Sequence, residues 1–177
     1  MDKEFVSSNQ LVRDAFTLAR QVYDAGYAPE WLLALWRGGA PVGIAVQEFL
    51  AYKGLRFEHA VVKVSSYSGI GQPGEPCVTH GDSLLSAIAP GQRVLVVDDI
   101  ADTGGTLRRM REWLAPRTRL VKSAVLYYKP DRLGAAQPPD FYVRRTDAWI
   151  VFPHELEGLS LEEIRLKDPF IHGLLAP

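Results

Sequence analysis

A single cysteine, Cys77, in a chain of 177 residues excludes an intrachain disulfide, and without a cysteine cluster there is no structural zinc site of the usual kind. The four histidines show no metal-ligand spacing either and read as surface or loop residues. There is no surplus of either charge: 20 Lys and Arg stand against 21 Asp and Glu, for a net charge of −1. A nucleic-acid-binding protein usually shows a basic excess or stripe, so no nucleic-acid partner is expected. No apolar run approaches the length needed to span a bilayer, and the polar, acidic start does not read as a leader peptide. No membrane partner is expected, and a cytoplasmic location is. There are no repeats, low-complexity tracts or inter-domain linkers. With 47% hydrophobic residues, the chain can bury one sizeable core.

What is present centres on Val94-Leu95-Val96-Val97-Asp98-Asp99-Ile100-Ala101-Asp102-Thr103-Gly104-Gly105-Thr106. Four apolar residues in a row, three of them β-branched, read as a strand buried on both faces, as in a parallel sheet. Two carboxylates stand where that strand is expected to end, and a helix is expected from Thr106 to Leu114. In open α/β sheets the ligand crevice lies beyond the carboxyl ends of the strands. Adjacent carboxylates can accept hydrogen bonds from a vicinal diol such as the 2′ and 3′ hydroxyls of a ribose. Gly104 and Gly105 let the backbone turn several N–H groups toward one point, Thr103 and Thr106 add hydroxyls, and the helix start favours a phosphate. A phosphorylated ribose satisfies the whole segment. An ordinary strand-to-helix turn with solvated caps is the plainer alternative. A Walker-A loop is excluded, since no Lys precedes Thr106.

Elsewhere, Ser7 or Ser8 can cap a first helix that Gly26 ends. Trp31–Trp36 reads as a second buried strand, breaking at Arg37-Gly38-Gly39, with a helix from Pro41 to about Tyr52. Arg37 can fork onto phosphate oxygens, although an Arg-Gly-Gly turn alone equally fits an ordinary loop. Val61–Tyr67 reads as a third strand. Residues 68–80 lack periodicity and contain Gly69-Ile70-Gly71-Gln72-Pro73-Gly74, a match to the dinucleotide fingerprint that fails because Pro73 prevents the helix it must open. A lid over the site is the better reading, a bare hairpin tip the alternative. Arg108, Arg109 and Arg111 read as surface charge. A further strand is expected at Leu120–Tyr128 and a short extended piece at Phe141–Arg144. A capping box at Ser160–Glu163 opens a last short helix.

The long motif resembles the diphosphate-sugar signature of type I phosphoribosyltransferases. Leu-Trp-Arg-Gly-Gly (35–39), Tyr-Tyr-Lys-Pro (127–130) and Trp-Ile-Val-Phe-Pro-His-Glu (149–155) are similar to the 6-oxopurine branch of that family. The resemblance covers roughly Trp31 to Glu155. It implies an α/β fold in which a parallel sheet is flanked by helices and carries a small hood subdomain. The whole of 1–177 would form one phosphoribosyltransferase domain, the core at about 27–130 and the hood from about 1–26 and 131–177. The reaction implied is magnesium-dependent transfer of the 5-phosphoribosyl group from 5-phosphoribosyl 1-diphosphate to hypoxanthine, guanine or xanthine, with release of pyrophosphate. By the same resemblance Asp98 and Asp99 hold the ribose hydroxyls and sit near the metal ion, and Asp102 faces the imidazole ring of the base. Asp102 through Thr106 hold the 5′-phosphate, and Arg37, Gly38, Ser66 and Tyr67 serve the pyrophosphate. A strained peptide, for which cis is one form, is implied before Arg37. Lys129, Trp149 and Ile150 serve the base, and Glu155 stands where the family commonly has a metal-binding Asp. A homodimer or homotetramer is expected. Two alternatives stay open: a non-catalytic regulator that binds the sugar diphosphate, and a transferase for another base.

Overall fold

The computed structural model describes residues 3–66, 76–79, 81–134 and 136–175. Tyr67 and most of the expected lid, residues 68–75 and 80, lie outside the described residues. In chain order the elements are β1 (Lys3–Phe5), α1 (Ser8–Asp24), β2 (Trp31–Trp36), α2 (Gly39–Tyr52), β3 (Glu58–Ser66), β4 (Pro76–Thr79), α3 (Asp82–Ala87), β5 (Val94–Ala101), α4 (Gly105–Leu114), β6 (Val121–Tyr128), α5 (Pro130–Leu133), β7 (Phe141–Arg145), β8 (Trp149–Val151), α6 (Leu161–Lys167) and α7 (Pro169–Leu175).

The chain divides into a larger unit, Val12–Asp147, and a smaller one formed by Met1–Leu11 with Ala148–Pro177. These boundaries differ from the expected 26/27 and 130/131. β7 lies beyond residue 131 yet pairs in parallel with β6, Ala124 opposite Phe141, so this stretch belongs to the main sheet.

The larger unit holds a six-stranded sheet in the order β4-β3-β2-β5-β6-β7. Every pairing is parallel except β3 with β4. The two central strands are the two apolar runs: Leu32–Leu35 and Val94–Val97 are all buried, as strands covered on both faces must be. β5 continues to Ala101 instead of ending at Asp98 and Asp99, because β6 keeps pairing with it through Ile100 opposite Tyr127 and Ala101 opposite Tyr128. α2 begins at Gly39, two residues before Pro41, and approaches β2 closely. A Cβ on Gly43 would lie 2.5 Å from that of Ala34. β4 and α3 were not expected from composition. Arg111 is not simple surface charge: it donates to Ser123 Oγ at 3.1 Å and Asp140 Oδ2 at 3.0 Å, tying α4 to β6 and to the residue before β7. Leu33, Val96, Met110, Leu114 and Val125 are at the centre of the core.

In the smaller unit β1 and β8 pair in parallel, Lys3 opposite Trp149. The expected capping box is present: Glu163 N–H donates to Ser160 Oγ at 3.2 Å, and Ser160 N–H to Glu163 Oε2 at 2.8 Å. A further helix, α7, follows it.

Candidate active site

β2 and β5 are adjacent and in register from Trp31 opposite Val94 to Ala34 opposite Val97. Their carboxyl ends therefore bring the Arg37–Gly39 turn against Asp98 and Asp99. The approach is close enough to require glycine: a Cβ on Gly38 would fall 1.9 Å from Asp99 Oδ2, and one on Gly39 would fall 2.4 Å from the Val97 carbonyl oxygen. The Trp36–Arg37 peptide is cis, and the Arg37 side chain is exposed.

The two carboxylates are not equivalent. Asp98 Oδ1 accepts the Asp99 N–H at 3.0 Å, and the N–H of Gly39, at the start of α2, also bonds this carboxylate. Burial, and then the charge of Asp99, push the Asp98 carboxyl well above the usual carboxylate range, while the two N–H bonds pull it back. Asp98 thus fastens the start of α2 to β5. The Asp99 side chain is buried against Gly38.

At the carboxyl end of β5 and after it, residues Asp98–Leu107 line a cavity of about 270 Å³. Gly104 takes a left-handed φ of 74° and caps α4 with no side-chain hydrogen bond. The first N–H groups of α4 have no partner within the helix, and with the helix dipole they form an anion site. A Cβ on Gly104 would meet Ala136 Cβ at 2.7 Å and Leu133 Cδ2 at 3.0 Å, so the segment after β6 lies on this loop. Asp102 Oδ2 accepts a hydrogen bond from Arg132 Nη1 at 2.8 Å.

Lys129 follows β6 as the cap of α5, and its N–H donates to the Ala101 carbonyl at 3.0 Å. At 3% exposure it is buried, unlike most lysines, on the same sheet edge as the acidic loop. Ser66 is the last residue of β3, with its backbone opposite Pro76; its side chain is not described.

Trp149, Ile150 and Glu155 belong to the smaller unit. In β8 Trp149 is half-exposed, whereas Ile150 and Val151 are buried. Trp149 and Glu155 line a cavity of about 320 Å³ with Lys3, Val151 and Gly158. Glu155 Oε2 accepts the Phe152 N–H at 3.0 Å, which closes the turn after β8. Lys3, whose amine pairs with Glu163, and Arg132 carry no local motif, and sequence reasoning missed both. Among the described residues no cluster of three or more His, Cys, Asp or Glu could hold a metal, and no helix is long and apolar enough to cross a membrane.

Residues 3–160 match the family model for the phosphoribosyl transferase domain. The chain belongs to this family. It is 33% identical over 166 residues to the xanthine-guanine phosphoribosyltransferase of Idiomarina loihiensis, covering 90% of this chain and 94% of that one. The purine phosphoribosyltransferase of Pyrococcus horikoshii superposes with a TM-score of 0.72 at 31% identity, covering 90% of this chain and 99% of that one. The xanthine-guanine-hypoxanthine phosphoribosyltransferase of Helicobacter pylori, at 21% identity and a TM-score of 0.64 over 93% of this chain and 99% of that one, shares the fold. The transferase fold expected from the motif is the one found in this phosphoribosyltransferase.

Proposed function

We propose that this phosphoribosyltransferase moves the 5-phosphoribosyl group of 5-phosphoribosyl 1-diphosphate onto a 6-oxopurine: hypoxanthine, guanine or xanthine. The observation that carries the reading is Lys129, a buried cation whose backbone is bonded to Ala101, next to Asp102. A 6-oxopurine presents a carbonyl oxygen beside an imidazole N–H. An ammonium donor and a carboxylate acceptor on adjoining loops suit that pair. Adenine would turn a 6-amino donor toward a donor, and a buried mismatch of this kind can discriminate by up to about 10⁴–10⁵. Relatives named as xanthine-guanine and purine phosphoribosyltransferases support the reading.

In the proposed reaction a ring nitrogen forms a bond to C1′ as the bond from C1′ to the diphosphate oxygen breaks. Positive charge develops on the sugar and on the base. The N–H groups and hydroxyls of Thr103–Thr106 hold the 5′-phosphate, and Asp99 accepts from the ribose hydroxyls. Asp98 keeps the Gly38–Gly39 turn in place by holding the Gly39 N–H, so that Gly38 and the Arg37 guanidinium meet the diphosphate. Ser66 and Tyr67 serve the same group. Asp102 accepts a hydrogen bond from the imidazole N–H and takes its proton as the bond to C1′ forms, so the positive charge developing on the base is removed. The family resemblance gives Trp149 and Ile150 to the base and Glu155 to the metal site. The same resemblance gives Asp98 and Asp99 to the metal ion as well. Magnesium, when bound, neutralises the diphosphate leaving group. A homodimer or homotetramer in the cytoplasm completes the proposal.

A panel of free bases supplied with the sugar diphosphate and magnesium tests it, with nucleotide formation as the readout. One or more 6-oxopurines should be converted. Adenine or orotate used equally well would overturn the base assignment, and binding of the sugar diphosphate without turnover of any base would favour a regulator.

A further inference from the structure

α5 lies along the loop that follows β5, with three attachments. The Lys129 N–H bonds the Ala101 carbonyl at 3.0 Å, Arg132 Nη1 bonds Asp102 Oδ2 at 2.8 Å, and Leu133 covers Gly104. The middle attachment is unusual. Both partners are close to half-exposed, at 46% and 41%, and such ion pairs add little to stability. It is also one-sided: Arg132 takes only Oδ2. Asp102 Oδ1 is buried and has no hydrogen-bond partner among the described residues. A buried, unsatisfied carboxylate oxygen is unfavourable, and it calls for an explanation. Here the oxygen belongs to a residue that lines the cavity and directly follows Ala101, whose carbonyl accepts the Lys129 N–H.

We propose that Arg132 is a positioning residue: it holds Asp102 by one oxygen so that the other is presented, unpaired, to the N–H of the incoming base. This rests on the reading that Asp102 meets the base. The cost of leaving Oδ1 unsatisfied is relieved when the base binds, so the preorganised acceptor acts in the reaction and not in folding. α5 thereby sets both base-reading groups at once, Lys129 at its start and Asp102 through Arg132.

The test is steady-state kinetics with hypoxanthine, guanine and xanthine on the wild type, Arg132→Gln, Arg132→Lys, Asp102→Asn and the Asp102→Asn/Arg132→Gln double variant. Because small misplacements of reacting groups are expensive, Arg132→Gln should lower kcat by about tenfold or more. The KM for the sugar diphosphate should stay within about twofold, since other residues hold that substrate. Arg132→Lys should recover much of the loss, and the double variant should be no slower than Asp102→Asn alone. The thermal midpoints of wild type and Arg132→Gln should agree. Unchanged kcat in Arg132→Gln, a Lys variant as slow as the Gln variant, or losses that multiply in the double variant would each overturn the proposal while leaving the purine reading intact. A wild type that converts none of the three bases would overturn both.

Discussion

Gly38→Ala isolates the contact between the two loops. The Gly38 backbone lies at φ −65° and ψ −34°, a conformation alanine prefers, so the backbone alone would gain about 0.4–1 kcal/mol from the substitution. The new Cβ, however, would stand 1.9 Å from Asp99 Oδ2, 2.4 Å from Cγ and 2.7 Å from Oδ1. Ordinary contact needs about 3.4 Å or more, so the carboxylate and the turn must separate by about 1.5 Å. A shift of 1 Å in a reacting group can cost about 10²-fold in rate. Gly38→Ala should therefore lower kcat/KM for the sugar diphosphate about 100-fold or more, read from initial rates with saturating hypoxanthine, while the thermal midpoint followed by circular dichroism moves by only a few degrees. Asp99→Ala removes the obstructing group as well as the ribose contact. If the clash is the cause, adding Gly38→Ala to Asp99→Ala costs nothing further. Near-wild-type kcat/KM in Gly38→Ala, or a loss that multiplies in the Asp99→Ala background, would refute the reasoning.

Gly104→Ala meets both a left-handed φ of 74° and a 2.7 Å approach to Ala136 Cβ, and should destabilise the protein by about 1–3 kcal/mol in urea melts. Tyr27 donates to the carbonyls of Val94 at 2.9 Å and Leu120 at 3.2 Å, and burial pushes its hydroxyl up to about 12. Its contribution to stability is then complete below the ordinary phenol value near 10 and is lost as pH rises through 12; Tyr27→Phe should be less stable at neutral pH by about 1 kcal/mol and lose less on going to high pH, in denaturant melts across that range. Magnesium should bind the protein weakly unless the sugar diphosphate is present, since the described residues offer no acid cluster of their own; tight stoichiometric binding by calorimetry without substrate would contradict this.

The two central strands and the turns that follow them were legible from the amino-acid sequence because their signals are local. Leu32–Leu35 and Val94–Val97 are apolar on both faces, which only a doubly covered strand permits. Gly104 and Gly105 stand where a chain must turn into a helix, and Ser160 with Glu163 forms the capping box of α6 within four residues. Such features depend on backbone geometry within one turn. What joins one turn to another depends on sheet order, and that was decided only by the tertiary structure. Nothing near Gly38 announces that Asp99, sixty-one positions on, will fill the space where its Cβ would be. β5 extends through its carboxylates because β6 lies beside it. Lys129, a residue type normally exposed, is buried where it follows β6, which lies between β5 and β7. Arg132 gains its meaning from the fold of α5 over the loop. Propensity and pattern act between near neighbours, whereas the pairing of carboxylates, cations and glycines from separate strands follows from how buried surfaces fit together in three dimensions.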